Sequence, residues 1–164
     1  MPELLALSAP VGAVLKDRRQ TIAVAESSTG GLVSAALLAV PGASAYFRGG
    51  GVVYTREAKI ALGGISEAAL ESDRAATEAH ALALAHAMRE KMGTDWAIAE
   101  TGATGPTGNR YGDPAGHTCI AVVGGGGEQV TTVRTGEEDR ETNMWAFTRA
   151  AFDLLGRALD EADG

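Results

Sequence analysis

Thr21-Ile22-Ala23-Val24-Ala25-Glu26-Ser27-Ser28-Thr29-Gly30-Gly31, followed by the apolar run 32–40 and then Pro41-Gly42, is the stretch that decides the fold. Residues 21–25 read as a short buried strand, because they are apolar, partly β-branched and bounded by polar residues. Residues 32–40 read as a helix that the Pro-Gly pair stops. Strand, tight polar turn and helix in that order form the first unit of an α/β layer structure.

Working outward, Leu4, Leu7, Val11 and Val14 keep the period of an amphipathic helix, in which Pro10 predicts a kink or a restart. A second strand is expected over 51–54, then a short helix through Lys59 with Thr55 as its N-cap. A long helix is expected over 75–92, with Gly93 just past its end. A third strand over 96–100 leads into the glycine-rich loop 101–108. Residues 117–123 and 129–134 predict a hairpin closed by Gly124 to Gly127. The last helix carries Met144, Phe147, Ala151, Leu154 and Ala158 on one face, a stripe wide enough to dock on a sheet. Alternating helices and strands followed by an antiparallel hairpin predict a three-layer α/β/α fold, a single domain over residues 1–164 with a mixed β-sheet.

The 164 residues are enough for a core without disulfides, and Cys119, the sole cysteine, has no partner for an internal one. Fourteen basic against 21 acidic residues leave a net charge of −7, which argues against nucleic acid or an anionic membrane as partner. The N-terminal segment lacks the basic start of a secretory signal, and no apolar run reaches the ~20 residues that span a bilayer. A cytoplasmic location is therefore expected. His80 and His86 lie six apart on one helix, facing different ways, and His117 with Cys119 lacks further ligands, so neither metal nor cofactor is expected.

Four segments can carry chemistry. Ser27 to Gly31 lie where a helix N-terminus presents unpaired N–H groups and partial positive charge, suited to an oxyanion or a phosphate. A serine held there can act as a nucleophile; the plainer reading is an N-cap with glycines for a tight turn. In Tyr54-Thr55-Arg56-Glu57-Ala58-Lys59, a lysine in a first helical turn sits against the dipole, which favours the neutral amine that a general base requires. Tyr54 is placed to orient that amine or relay a proton; the plainer reading, favoured on this segment alone, is a solvated surface lysine and a packed tyrosine. In the loop 101–108, Gly102 and Gly105 permit close approach of a ligand, and Thr101 offers a hydroxyl at the end of a strand. Before the last helix, Asp139 is an N-cap candidate and Arg140 either clamps a phosphate or carboxylate or pairs with the acidic run ahead of it.

Together, Ala25-Glu26-Ser27-Ser28-Thr29-Gly30-Gly31, Tyr54-Thr55-Arg56-Glu57-Ala58-Lys59, Thr101-Gly102-x-x-Gly105-Pro106 and Asp139-Arg140 resemble the CinA C-terminal-domain family in order and spacing, over nearly the whole chain. The resemblance implies a stand-alone α/β/α domain with nicotinamide-nucleotide amidase activity, converting nicotinamide mononucleotide and water to nicotinic acid mononucleotide and ammonia. In many bacteria such a domain follows one that resembles molybdopterin-binding folds. The resemblance implies Ser27 as nucleophile, Lys59 as its base and Tyr54 as an assisting group. Thr29, Gly30, Gly31, Thr101, Gly102, Gly105 and Arg140 fall at positions expected to hold the substrate. Domains of this type often self-associate, so a homo-oligomer is expected.

The chain departs from the family at Asp113-Pro114-Ala115-Gly116-His117, where a lysine or other residue often precedes Pro-Val-Gly-Thr, at Asn143-Met144, where a second arginine is common, and at Glu100. These changes remove positive charge from the expected phosphate side, which keeps two further readings open: a hydrolase of another carboxamide, and a non-catalytic nucleotide-binding module.

Overall fold

The computed structural model of the protein describes residues 3–163. Its elements are α1 Glu3–Arg18, β1 Ile22–Glu26, α2 Leu32–Leu38, a 3-10 turn Ala43–Ala45, β2 Phe47–Val52, α3 Arg56–Ala61, α4 Glu67–Ser72, α5 Glu78–Met92, β3 Trp96–Ala103, β4 His117–Gly124, β5 Gly127–Arg134 and α6 Arg140–Asp163. The five strands form one sheet in the order β2-β1-β3-β4-β5. β1 runs parallel to both β2 and β3, whereas β3, β4 and β5 are antiparallel to one another.

Strand alternation divides the core into two layers. Ile22, Val24, Trp96, Ile98, Ile120 and Val122 face α1, α2 and α6. Ala23, Ala25, Ala97, Ala99 and Ala121 face the other way, and the small side chains let α5 lie close against the sheet through Ala81, Leu84, Ala85 and Met88. These are the three layers and the mixed sheet that the sequence pattern predicts. No helix among the described residues is long and apolar enough to cross a membrane.

From β1 the chain crosses one face through α2 to reach β2, then returns over the other face through α3, α4 and α5 to β3, on the far side of β1. The C-terminal ends of β1 and β3 therefore flank the point where the winding reverses, the place where open α/β sheets collect ligands.

Several boundaries differ from the sequence reading. α1 passes through Pro10 as one helix, with no restart. β2 begins at Phe47, not at residue 51, and its Gly49-Gly50-Gly51 core has low strand propensity. Gly50 is there for space: a Cβ on it would stand 1.9 Å from the carbonyl oxygen of Val24, its partner on β1. β3 continues through Thr101-Gly102-Ala103, which the sequence suggested as loop, because β4 pairs with it to that point. α4 is a short helix that no apolar period announced. The Thr55 cap, the left-handed Gly93 and the Gly124 to Gly127 turn all fall where expected.

Because Gly50 lies directly against the Val24 backbone in the β1–β2 pair, Gly50→Ala is expected to force β1 and β2 apart. The cost should be about 3 kcal/mol or more, read as a lower urea midpoint for the variant; an unchanged midpoint would contradict this packing.

Candidate active site

The turn between β1 and α2 is built around two buried carboxylates. Glu26, the last residue of β1, points to the α2 face and accepts hydrogen bonds from the backbone N–H groups of Gly31 at 2.9 Å, Val33 at 3.1 Å and Ser34 at 2.9 Å. It also accepts from the hydroxyls of Thr29 at 2.7 Å and Ser34 at 2.7 Å. A carboxylate in this place takes the orphan donors of the helix start and the positive end of its dipole.

Glu100 reaches the same turn from β3. It accepts from the N–H groups of Ser27 at 3.1 Å and Thr29 at 3.1 Å, from the hydroxyl of Thr118 at 2.7 Å, and from the Ser28 hydroxyl. Both carboxylates are about 1% exposed.

Ser27 stands between these anchors and is free itself. Among the described residues, neither its hydroxyl nor the N–H of Ser28 has a hydrogen-bond partner, while its carbonyl accepts from the N–H of Gly30. Lys59 lies in α3, which the Thr55 hydroxyl caps by accepting from Ala58 N–H at 3.1 Å. Lys59 is 7% exposed, and among the described residues its amine has neither an ion pair nor a hydrogen bond. Burial pushes its pKa down, and the charge of Glu100 counters part of that shift. Glu100 is thus a shared neighbour: it bonds the Ser27 backbone and couples electrostatically to the Lys59 amine.

His80, on α5, is buried beside them. Its Nδ1 lies 3.0 Å from the carbonyl oxygen of Asp73, which can only accept, so Nδ1 carries the proton. Its Nε2 is therefore a lone-pair acceptor, and it is the one fully enclosed side-chain polar atom without a partner among the described residues, the Lys59 amine keeping some exposure. Burial, with a smaller contribution from the Lys59 charge, pushes the His80 pKa down to about 4.

Residues 5–159 match the CinA C-terminal domain family. The chain belongs to that family. A CinA-like protein of Desulfosudis oleivorans is 37% identical over 155 residues, covering 94% of this chain and 38% of the relative. One from Mycobacterium marinum is 40% identical over 151 residues, covering 92% and 35%. The chain spans less than two fifths of the length of these curated relatives. A crystal structure of a competence-damaged protein (CinA) superfamily member from Klebsiella pneumoniae superposes with a TM-score of 0.90 at 30% identity, over 97% of this chain and 99% of that one. A competence/damage inducible protein, CihA, from Agrobacterium tumefaciens gives 0.87 at 29% identity, over 96% and 95%.

Within this CinA domain, the remaining sequence candidates sit as follows. Thr29 is fully buried, and both its N–H and its hydroxyl are taken by Glu26 and Glu100, so it does not face a substrate. The Gly31 N–H, expected to be an open donor, is likewise held by Glu26, and Gly30 N–H by the carbonyl of Ser27. The oxyanion donors expected along this turn thus reduce to Ser28 N–H. Thr101 is 2% exposed and its hydroxyl accepts from Ala76 N–H at 3.0 Å, because strand alternation turns it toward α5. Gly102 is packed against β4, where a Cβ would meet Thr118 at 2.5 Å.

Arg140 neither joins the acidic run nor stands free. Its guanidinium donates to the carbonyl of Gly105 at 2.5 Å and to the Tyr54 hydroxyl at 3.3 Å. Tyr54 is accordingly tied to Arg140 rather than to Lys59, and its ring is exposed. Asp139 caps α6 as expected, accepting from Thr142 N–H at 2.8 Å. Glu26, Glu100 and His80 were not among the candidates. An acid at a strand end directly before a helix start was the signal available for Glu26; only contact across the sheet reveals Glu100.

Because His80 is held neutral in the folded state while an unfolded histidine titrates near 6.5, acid favours the unfolded chain. Its contribution is complete above about 6.5 and is lost as pH falls toward about 4. The slope of unfolding free energy against pH across that window should therefore be shallower in His80→Phe than in wild type, as read by urea titrations at a series of pH values.

Proposed function

We propose that the domain hydrolyses the carboxamide of nicotinamide mononucleotide, releasing nicotinic acid mononucleotide and ammonia, with Ser27 as nucleophile and Lys59 as general base. The observation that carries this reading is the buried, unpaired Lys59 amine, shifted toward its neutral form and sharing Glu100 with the turn that holds Ser27. A lysine that serves only solubility stays solvated and charged; one held in this way is suited to take a proton.

In the first step the Ser27 oxygen bonds to the carboxamide carbon and its proton passes to the Lys59 amine. The developing oxyanion is met by Ser28 N–H, the one unpaired amide of the turn. Collapse breaks the carbon–nitrogen bond, and the ammonium of Lys59 returns the proton to the departing ammonia. Water, deprotonated by the same amine, then cleaves the acyl-enzyme to give the carboxylate and free Ser27. This is the serine–lysine form of triad logic. The Arg140–Tyr54–Gly105 link borders the site by joining the start of α6 to the end of β2.

Hydrolysis of a different carboxamide by the same pair keeps the chemistry and changes the substrate. The observation favouring it is that Arg140, a guanidinium expected to read phosphate, already donates to Gly105 and Tyr54.

Ammonia release from nicotinamide mononucleotide should fall to background in Ser27→Ala and by about 10²–10⁴ in Lys59→Ala, with both variants retaining the wild-type melting temperature within a few degrees. Wild-type turnover in Ser27→Ala would remove the nucleophile assignment.

The acid limb of the rate profile tests the base. Activity should rise as Lys59 loses its proton, and Glu100 favours the protonated form. Glu100→Gln should therefore move that limb to lower pH, whatever it does to the maximal rate. A limb that stays fixed or moves upward would show that another group titrates.

A further inference from the structure

Beside Lys59 opens a cleft of about 250 Å³ whose walls include Arg56 of α3, Arg74, and Arg110 with Tyr111 from the loop after β3. Lys59 and His80 line it as well, and Glu71 is the acid on its wall. In a chain of net charge −7, this convergence of cations is a local reversal of sign.

The guanidiniums are not equivalent. Arg74 is paired with Asp113 at 2.7 Å and stacks over the Tyr111 ring at 4.9 Å, so it is structural. Arg110 stacks over the same ring at 5.0 Å and donates to the Tyr111 hydroxyl at 2.9 Å, leaving its charge without an acidic partner. Arg56 has no ion pair or hydrogen bond among the described residues. Two uncompensated guanidiniums therefore stand at one mouth, with a rigid aromatic between the paired and the unpaired arginine. Planar forks of this kind suit a phosphate better than a point-charge lysine does.

One residue lining the same cleft differs in kind. His80 offers an unpartnered lone pair at Nε2, which disfavours an anion and calls for an N–H or O–H donor. Guanidiniums suited to an anion and an acceptor suited to a donor, lining one cleft, describe a ligand carrying both a phosphate and hydroxyls.

We infer that this cleft is the phosphate subsite of the domain, in which Arg56 and Arg110 bind the phosphate of a sugar monophosphate whose hydroxyl side faces His80. The assignment rests on the amidase reading for its link to Lys59, and it supplies the phosphate recognition that Arg140, already bonded to Gly105 and Tyr54, leaves open.

The test uses the full chain and the double variant Arg56→Gln/Arg110→Gln, with Arg157→Gln on the distant face of α6 as a charge control. The kcat/KM for nicotinamide mononucleotide is divided by that for nicotinamide riboside, and the ratio should fall by about tenfold or more in the double variant while the control keeps the wild-type ratio. A ratio within about twofold of wild type in a double variant that melts normally would overturn the assignment.

Inorganic phosphate, titrated against each protein by ³¹P line broadening, separates this result from the fate of the amidase reading. If neither amide is hydrolysed, phosphate bound by the wild type and lost in the double variant still supports the subsite. Equal binding by both proteins, or none by the wild type, overturns it. Phosphate that binds at the arginines without improving turnover of the mononucleotide over the riboside would mark a free-anion site and would likewise overturn the sugar-phosphate assignment.

Discussion

Two carboxylates buried within a single turn constrain the rest of this molecule. An ionised carboxylate taken out of water without partners is so costly that it would ordinarily neutralise. Glu26 and Glu100 offset the cost of burial by collecting donors: the first turn of α2 for Glu26, and the Ser27 and Thr29 N–H groups with the Ser28 and Thr118 hydroxyls for Glu100. The donors belong to the turn after β1, to α2 and to β4, while the acceptors sit at the end of β1 and within β3. The network therefore ties the switch point from both sides, and it leaves the Ser27 hydroxyl and the Ser28 N–H outside it.

That arrangement changes how the turn can serve catalysis. A helix N-terminus is usually counted as a set of open donors for an oxyanion. Here the set is nearly closed, and Glu26 cancels much of the dipole's field at the point where negative charge would develop. In the proposed mechanism, stabilisation then falls to Ser28 N–H and to the Lys59 ammonium formed in the same step. The opposed influences on Lys59 fit this division: burial favours the neutral amine before attack, while Glu100 favours the cation after it. A site lacking Glu100 would hold a readier base but a less stable ammonium.

Layering was legible in the sequence because it depends on apolar patterning, and the periods of α1 and α6 and the buried run of β1 were clear. What failed depended on partners. Phe47-Arg48-Gly49-Gly50-Gly51-Val52 looks like a poor strand, yet it pairs with β1 because the backbones approach too closely for any side chain at Gly50. Thr101-Gly102-Ala103 looks like loop and is strand, since β4 supplies eight paired positions along β3. The site divides in the same way. Ser27 and Lys59 could be named from type and position, as could the Asp139 cap. That the Thr29 and Thr101 hydroxyls are already engaged was not legible, because a hydroxyl's availability depends on what the fold packs beside it: the Glu26 carboxylate for Thr29 and the Ala76 N–H for Thr101.

The departures at Asp113 and Glu100 look, in sequence, like losses of positive charge near a phosphate. In the structure each acid has a different task. Asp113 accepts from Arg74 and from the Asn109 side chain at 2.8 Å, and so holds the loop that carries Arg110 and Tyr111 over the cleft. Glu100 lies on the opposite side of β3 from Thr101, within the Ser27 turn and away from the mouth. Neither carboxylate cancels the two guanidiniums that remain unpaired. A net charge of −7 therefore predicts little about what this domain binds locally, because acids that are internally answered add to the sum without adding to the field at the cleft.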